Sequence, residues 1–146
     1  MLGCTSNTKK SENHSETKAL FEWIASRNSD EWAYIRGKEN QKEFSFIGTL
    51  HDDGQAPSPS RSKLMSSYET IIDIHSHYGT ALYDFEPSSS DRVGAQKTRA
   101  KFPKAKFYIF SPLISKENYN KAIEGRNGIK YGRQKIDYKP GKYIPY

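Results

Sequence analysis

Residues 70–77 have the sequence TIIDIHSH, in which a predicted buried strand ends on a pair of histidines. Three isoleucines make the run β-branched and Asp73 is the only charge inside it, so we predict a strand over residues 70–76. Side chains at positions i and i+2 of a strand point to the same face. His75 and His77 can therefore converge on one cation, and this pair is the sharpest chemical signal in the chain.

The sequence around this strand has the length and pattern of a single domain. Its 146 residues are close to the most common domain size, and helical and strand periodicities follow one another along it. The predicted elements before the histidine strand are a helix over 15–28 with the stripe Leu20, Phe21, Trp23, Ile24 and Ala25, antiparallel strands over 31–36 and 44–50 joined by a charged turn over 37–43, and a surface loop over 51–63. After the strand over 70–76 we predict a helix capped by Ser88 and running to about Lys101, and a strand over 106–110. A short helix over about 116–123 and hairpin-like pieces over 128–138 and 142–146 follow.

The composition excludes several classes of protein. Apolar runs are at most four to five residues long, whereas a membrane-spanning helix needs roughly 20, so we expect no membrane insertion. A single cysteine, Cys4, excludes a disulfide framework and a cysteine-rich zinc site, so any metal must be bound by histidines and carboxylates. Residues 1–14 are small and polar, which predicts a disordered leader. Leu2-Gly3-Cys4 is similar to a lipoprotein cleavage box, but no basic and apolar stretch precedes it, so we expect no signal peptide.

The net charge of +6 is concentrated in residues 126–146, which contain six Lys or Arg and one acid, with four tyrosines between them. Aromatic rings among cations can stack on bases while the cations contact phosphates, so a nucleic-acid surface is one interpretation. A second is docking to an acidic protein. The interpretation we favour is a pair of edge strands with a solvated basic face.

A metal site built on the histidine pair needs a third protein ligand. No His or Cys follows His77, and His14 and His51 lie in polar segments where we expect them to be solvated. A downstream third ligand must therefore be a carboxylate. We favour Asp91, because it falls in the first turn of the helix that Ser88 caps, where backbone N–H groups hold an anion. The candidates are Asp84, Glu86, Asp91, Glu117, Glu124 and Asp137.

Together, these residues resemble the signature of a known family. His75-Ser76-His77, followed by Ser88-x-x-Asp91 and preceded by Glu31, is similar to the JAMM signature of the JAB/MPN metallopeptidases. The sequence around Ser29-Asp30-Glu31 resembles the JAB-like toxin domains of bacterial polymorphic toxins, and the resemblance covers about residues 15–115.

The chain departs from the family pattern in two places. Ten residues separate His77 from Ser88, where the usual motif has seven, and Tyr78 stands where the family has a proline. A longer irregular loop absorbs three extra residues at small entropic cost.

The resemblance implies a site and a reaction. His75, His77 and Asp91 would be the zinc ligands, Glu31 the general base and Ser88 a hydrogen-bond donor to the developing oxyanion. The reaction would be hydrolysis of a peptide or isopeptide bond. On the residues alone, Glu31 has rivals as a base in Glu22, Glu39 and Glu43, but it alone heads a buried-looking strand.

The resemblance also implies a fold and a setting. The fold would be α/β of the cytidine-deaminase-like, JAB/MPN-like kind: a central mixed sheet with flanking helices in one domain over residues 15–146, with basic strands at 126–146. The domain would act in the cytoplasm of a target cell as a secreted or delivered effector on a protein or peptide substrate, and an immunity protein would neutralise it. The alternative is a catalytically weak JAB-like module that binds nucleic acid or an acidic protein through its basic C-terminal surface.

A competing motif uses the same strand. Asp73-x-His75-x-His77 is similar to the opening motif of barrel-type metallohydrolases and phosphoesterases. Those enzymes need a large barrel and further histidines downstream, whereas only 69 residues follow His77 here and none is histidine. Chain length and ligand count exclude this interpretation.

Overall fold

The computed structural model describes residues 7–50, 67–79, 86–113 and 143–146. The elements in these ranges are β1 (Asn7–Ser11), α1 (His14–Ala25), β2 (Trp32–Glu39), β3 (Lys42–Thr49), β4 (Glu69–Ser76), α2 (Ser89–Lys101), β5 (Lys106–Phe110) and β6 (Tyr143–Pro145). The strands form one mixed sheet in the order β1-β3-β2-β4-β5-β6. The predicted α/β class, mixed sheet and flanking helices are confirmed within this part of the chain.

Strand β4 lies inside the sheet, between an antiparallel neighbour, β2, and a parallel neighbour, β5. Pairing on both edges is in keeping with its sequence, in which four of eight residues are β-branched. Parallel strands require a crossover connection, and α2 lies in the connection from β4 to β5. This topology brings the first turn of α2 back to the carboxyl end of β4, where the histidines are.

The two helices cover opposite faces of the sheet. Phe21 and Ala25 of α1 pack on a cluster that includes Tyr34, Ile74 and Tyr108 from three neighbouring strands. On the other face, Ala95 of α2 packs with Ala105 and Phe107, and a further cluster of Ala33, Ile35, Phe46 and Tyr68 continues across β2 and β3. The candidate site belongs to the α2 face.

Helix α1 confirms the predicted helix but differs from it in extent and in the face it buries. It begins one residue earlier, capped by Asn13, and ends at Ala25. Its buried residues are Thr17, Phe21 and Ala25, a narrow line at every fourth position. Leu20 and Trp23, which we expected in the apolar stripe, are 48% and 58% exposed. A helix lying on a flat sheet buries only its central line, so these flanking side chains stay in solvent.

The prediction that residues 1–14 are a disordered leader is wrong for residues 7–14. Residues 7–11 form β1, which pairs antiparallel with β3 from Asn7 opposite Thr49 to Ser11 opposite Ser45. Main-chain hydrogen bonds hold an edge strand regardless of side-chain polarity. Lys10 adds a cation–π contact, with its Nζ 4.4 Å from the centre of the Phe44 ring.

The β2–β3 hairpin confirms the predicted antiparallel pair but is longer than expected. The residues predicted as a charged turn over 37–43 mostly continue the strands, with Glu39 opposite Lys42. The turn consists of Asn40 and Gln41, both with positive φ, 50° and 68°. Two positive-φ residues are the geometry of a type I′ hairpin turn, which matches the twist of the strands.

Several predicted features lie outside the described residues. They are the loop over 51–63, the helix over about 116–123, the hairpin-like piece over 128–138, and the basic segment apart from its last four residues. Of the piece predicted over 142–146, residues 143–145 form β6, antiparallel to β5. The basic C-terminal surface therefore stays a prediction.

Candidate metal centre

The two histidines lie at the carboxyl end of β4, on the face that α2 covers. His75 lies opposite Ala33 of β2 and beside Ile109 of β5, and it is 6% exposed. His77 follows the end of the strand, where its main-chain N–H donates to the carbonyl oxygen of Phe110 at 3.0 Å. The alternation of a strand thus places both imidazoles on one face, as predicted.

The first turn of α2 brings Asp91 to the histidines. The Ser88 hydroxyl caps the helix by accepting a hydrogen bond from the Asp91 N–H at 3.1 Å. In return, the Ser88 N–H donates to Oδ2 of Asp91 at 2.7 Å. This reciprocal pair is a capping box, and it confirms Ser88 as the predicted helix cap. Because Oδ2 is the oxygen that faces the histidines, the cap also orients the carboxylate.

The three side chains meet at distances that suit a metal ion. Nε2 of His75 lies 3.1 Å from Nε2 of His77 and 3.3 Å from Oδ2 of Asp91. Nε2 of His77 lies 3.8 Å from the same Oδ2. Ligands about 2.0–2.1 Å from a tetrahedral zinc ion are themselves roughly 3.4 Å apart. The donor set of two imidazoles and one carboxylate therefore fits zinc, and no other such group of three occurs among the residues the structure describes.

Glu31 lies beside this group, and side chains of β3 and β4 form hydrogen bonds with the main chain at residues 31 and 32. The carbonyl oxygen of Glu31 accepts a hydrogen bond from Thr49 Oγ1, and the next N–H, that of Trp32, donates to Ser76 Oγ, each at 2.9 Å. Oε1 of Glu31 then lies 3.6 Å from Nε2 of His77. Ser76, between the two histidines in sequence, thus ties the start of β2 to the end of β4, a role that its place in the motif did not indicate.

The interaction between His75 and Asp91 shifts the pKa values of both side chains. Burial alone would lower the pKa of His75, but the hydrogen bond and charge of Asp91, helped by Glu31 and Asp73, outweigh it and raise this pKa to about 9. Burial would raise the pKa of Asp91, yet the bonds from His75 and Ser88 hold it well below its usual value. In the metal-free protein at neutral pH, the site therefore holds a protonated imidazole against a carboxylate.

This pair predicts how the stability of the metal-free protein depends on pH. Because the pKa of His75 is raised above 6.5, its stabilisation is complete below pH 6.5 and is lost as the pH rises through about 9. Asp73, also on this face, has a pKa that burial raises to about 7, so ionisation of Asp73 changes the stability mainly below that pH. With a chelator present, we expect the unfolding temperature to fall from about pH 7 to about pH 9. The fall should be smaller in Asp91→Asn, and an equal fall in both proteins would contradict this origin.

One contact at the site was not foreseen from the sequence. The hydroxyl of Tyr146 lies 3.4 Å from Nδ1 of His75, on the side of the ring away from Asp91. Burial raises the pKa of this phenol well above its usual value of 10, so it stays protonated. The sequence carried no signal for this contact, because 70 residues lie between His75 and Tyr146 and only sheet pairing joins them.

His14, expected to be solvated, is instead part of a hydrogen-bond network on the opposite face. Its Nδ1 lies 2.6 Å from Ser45 Oγ, which lies 2.9 Å from the Tyr34 hydroxyl. The first residue of α1 is thereby tied to the sheet. His51 lies outside the described residues.

The rival carboxylates that the structure describes do not reach the site. Glu22 accepts a hydrogen bond from the Tyr143 hydroxyl at 2.6 Å, on the α1 face. Glu43 pairs with Arg36, and Glu39 ends β2 beside the hairpin turn. Of the rival third ligands, only Glu86 is described, and it is not part of the metal-ligating group. The structure therefore brings together all five residues that the sequence singled out: Glu31, His75, His77, Ser88 and Asp91.

Comparison with known families agrees with this arrangement. The family model described as JAB-like toxin 1 matches residues 9–100, which is more than half of the chain. The chain belongs to the JAB-like toxin 1 family. The match includes Glu31, the histidine pair, and the Ser88–Asp91 cap, so the group that could hold a metal ion in this JAB-like toxin domain lies inside the matched region. No curated protein and no solved structure is significantly similar to the chain. In the described part of this toxin domain, neither helix is long and apolar enough to cross a bilayer.

Proposed function

We propose that this JAB-like toxin domain is a zinc-dependent metallopeptidase of the JAMM type that hydrolyses peptide or isopeptide bonds. The observation that carries the proposal is the meeting of His75, His77 and Asp91 at zinc-ligand spacing, with Glu31 beside them. When bound by these three residues, zinc supplies Lewis acidity, which makes water a stronger acid and a carbonyl carbon more electrophilic.

Glu31 is the general base in this mechanism. Its Oε1 lies on the His77 side of the site, 3.6 Å from Nε2, close enough to take a proton from water attacking at the centre. The carboxylate can then return that proton to the leaving amine. Two hydrogen bonds, to the Glu31 carbonyl oxygen and from the Trp32 N–H, hold the main chain from which the carboxylate extends.

Ser88 stabilises the negative charge that develops on the substrate carbonyl oxygen. Within the capping box its hydroxyl acts as an acceptor, so the hydroxyl proton is not used by the cap. Ser88 is exposed while Asp91, which it caps, is partly buried, and this supports a hydroxyl that a substrate could reach from solvent. A donor aimed at a developing oxyanion contributes on the order of a hundredfold or more in rate.

The site also has the access that a peptidase needs. The side chains of His77 and Glu31 are each 13% exposed and that of Asp91 is 19% exposed, so the candidate site is not fully enclosed. His75 is the most enclosed of the three ligands, at 8%. A structural zinc site has four protein ligands, whereas this group of three would leave one coordination position open, as in a catalytic site.

The wider setting is part of the same proposal. A mixed sheet with helices on both faces supports kinship with the cytidine-deaminase-like, JAB/MPN fold. Membership of a toxin family supports delivery into a target cell, action on proteins of its cytoplasm, and neutralisation by an immunity protein.

Metal removal tests the proposal on a mixture of proteins, so that no single substrate has to be chosen. Purified domain is stripped with a chelator, reloaded with zinc and incubated with a bacterial lysate, and mass spectrometry counts new protein N-termini, which peptide hydrolysis creates, and newly freed lysine side-chain amines, which isopeptide hydrolysis creates. We expect such cleavage products with the zinc-loaded protein, almost none with the stripped protein, and recovery on adding zinc back. Cleavage that survives complete stripping, or its absence from the zinc-loaded sample, would contradict the proposal.

A further inference from the structure

The contact between Tyr146 and His75 joins the last described strand to the candidate metal centre. The Tyr146 hydroxyl lies 3.4 Å from Nδ1 of His75, and the two rings meet edge to face with centroids 5.9 Å apart. Both atoms are polar and the imidazole is buried, so this pairing supplies a hydrogen-bond partner for the ring nitrogen that faces away from the other ligands.

The roles of the two imidazole nitrogens follow from their surroundings. Nε2 of His75 faces Nε2 of His77 and Oδ2 of Asp91, at 3.1 and 3.3 Å. A neutral histidine that ligates through Nε2 carries its proton on Nδ1, and a metal-ligating histidine nearly always donates that proton to a nearby acceptor. The Tyr146 hydroxyl oxygen is the acceptor within reach of Nδ1.

We propose that Tyr146 is a positioning residue of the metal centre: its hydroxyl oxygen accepts the Nδ1–H of His75 and so selects the tautomer and ring orientation that present Nε2 to the metal. This inference rests on the metal site of the proposed function. Tyr146 acts through His75 and is not a catalytic residue, since it contacts the side of the imidazole opposite the ligand atoms.

The protein holds Tyr146 firmly enough for this role. Its N–H donates to the carbonyl oxygen of Phe107 at 3.1 Å, and Arg99 donates a hydrogen bond to its main-chain oxygen. The Tyr146 ring packs on that of Phe107, with centroids 5.9 Å apart, and the Arg99 guanidinium lies over the same Phe107 ring, 4.7 Å from its centre. Helix α2, β5 and β6 thus fix the phenol together.

Tyr146 reaches the metal centre from a part of the chain that the family model does not match. The family match ends at residue 100, so Tyr146 and the strand that precedes it lie outside the matched region. Strand β6 reaches the site only by pairing with β5, which in turn lies parallel to β4. The C-terminal strand therefore completes the surroundings of a metal ligand that the matched region supplies.

The chain offers a matched control for the test. Tyr143 begins β6, the strand that ends next to Tyr146, and it is buried, but its hydroxyl donates to Glu22 at 2.6 Å on the α1 face, away from the metal centre. Tyr143→Phe and Tyr146→Phe each remove one tyrosine hydroxyl from this C-terminal segment and keep the ring. A loss of packing or of general stability should affect both variants, whereas a loss of ligand orientation should affect only Tyr146→Phe.

The measurement is the zinc affinity of the folded domain, by competition with a chromogenic chelator. We expect Tyr146→Phe to bind zinc about 10–100-fold more weakly than the wild type, which is the range for loss of such an outer partner, and Tyr143→Phe to bind within about twofold of it. Long-range ¹H–¹⁵N spectra of the zinc-loaded protein should show His75 protonated at Nδ1, with the signal of that proton shifted in Tyr146→Phe.

The outcomes separate this inference from the proposed function. Equal zinc affinity in Tyr146→Phe and Tyr143→Phe, with wild-type binding intact, overturns the positioning role and leaves the metal site standing. An unshifted Nδ1 proton in Tyr146→Phe also overturns it. If the wild type itself fails to bind zinc, both the inference and the proposed metal site are wrong. Should Tyr146→Phe be poorly folded, the zinc-loaded wild type decides, because absence of a proton on Nδ1 of His75 overturns the role.

Discussion

Glu31→Gln is expected to lower the rate of zinc-dependent cleavage on the order of 10²–10⁴-fold, which is the usual contribution of a general base. Glutamine has nearly the same shape as glutamate but cannot take a proton from water. The main-chain hydrogen bonds around residue 31, from Thr49 and to Ser76, do not involve the side chain and should persist. The variant should therefore be folded, with its carboxamide where the carboxylate was.

Zinc binding distinguishes a lost base from a lost metal in this variant. Glu31 lies outside the group of three metal-ligating residues, so Glu31→Gln should still bind one zinc ion, with an affinity within roughly tenfold of the wild type. Rates are measured as new N-termini per unit time at saturating zinc. The control is Glu22→Gln, in which a carboxylate on the opposite face is neutralised while its bond from Tyr143 is kept. Undiminished cleavage by Glu31→Gln would remove Glu31 from the mechanism.

His75→Ala is expected to weaken zinc binding by more than about a hundredfold, beyond the range seen for outer-sphere partners. Three protein ligands meet at the centre, so losing one leaves His77 and Asp91, too few to hold the ion against water. His75 is also the most buried ligand and the one that contacts both others, at 3.1 and 3.3 Å. Its removal therefore disrupts the centre more than the loss of a peripheral ligand would.

The control for this variant is another partly buried histidine, His14. His14→Ala breaks a hydrogen bond to Ser45 on the α1 face and leaves the candidate metal centre intact. Zinc content after dialysis and affinity by competition should be near zero for His75→Ala and unchanged for His14→Ala. Equal zinc content in the two variants would show that the ion binds elsewhere, and the assignment of the centre to β4 and α2 would then be wrong.

The parts of this domain that the sequence predicted well depend on local physics. A β-branched run bounded by polar residues forms a strand wherever it is buried, and strand alternation alone places His75 and His77 on one face. Likewise, Ser88 and Asp91 form a capping box because both partners lie within one turn of the same helix. These features do not depend on the rest of the chain.

The errors in prediction came where pairing partners are distant. The polar run of β1 has no strand-like pattern and becomes a strand because β3 offers it an open edge. Leu20 and Trp23 fit the apolar stripe of α1, yet a flat sheet covers only the central line of the helix. The turn consists of only Asn40 and Gln41, whereas the charged residues over 37–43 had predicted a longer turn. Hairpin pairing extends both strands up to these two residues.

The sequence by itself determined the strand that carries the histidines and the cap that carries Asp91, and it favoured Glu31 over other glutamates. Only the tertiary structure decided that these pieces meet: antiparallel pairing of β2 with β4 brings Glu31 beside His77, and the crossover through α2 returns Asp91 to the end of β4. It also decided that Tyr146 lies against His75. The physical reason is that strand pairing and helix crossover act between residues far apart in sequence, where no local pattern records the contact.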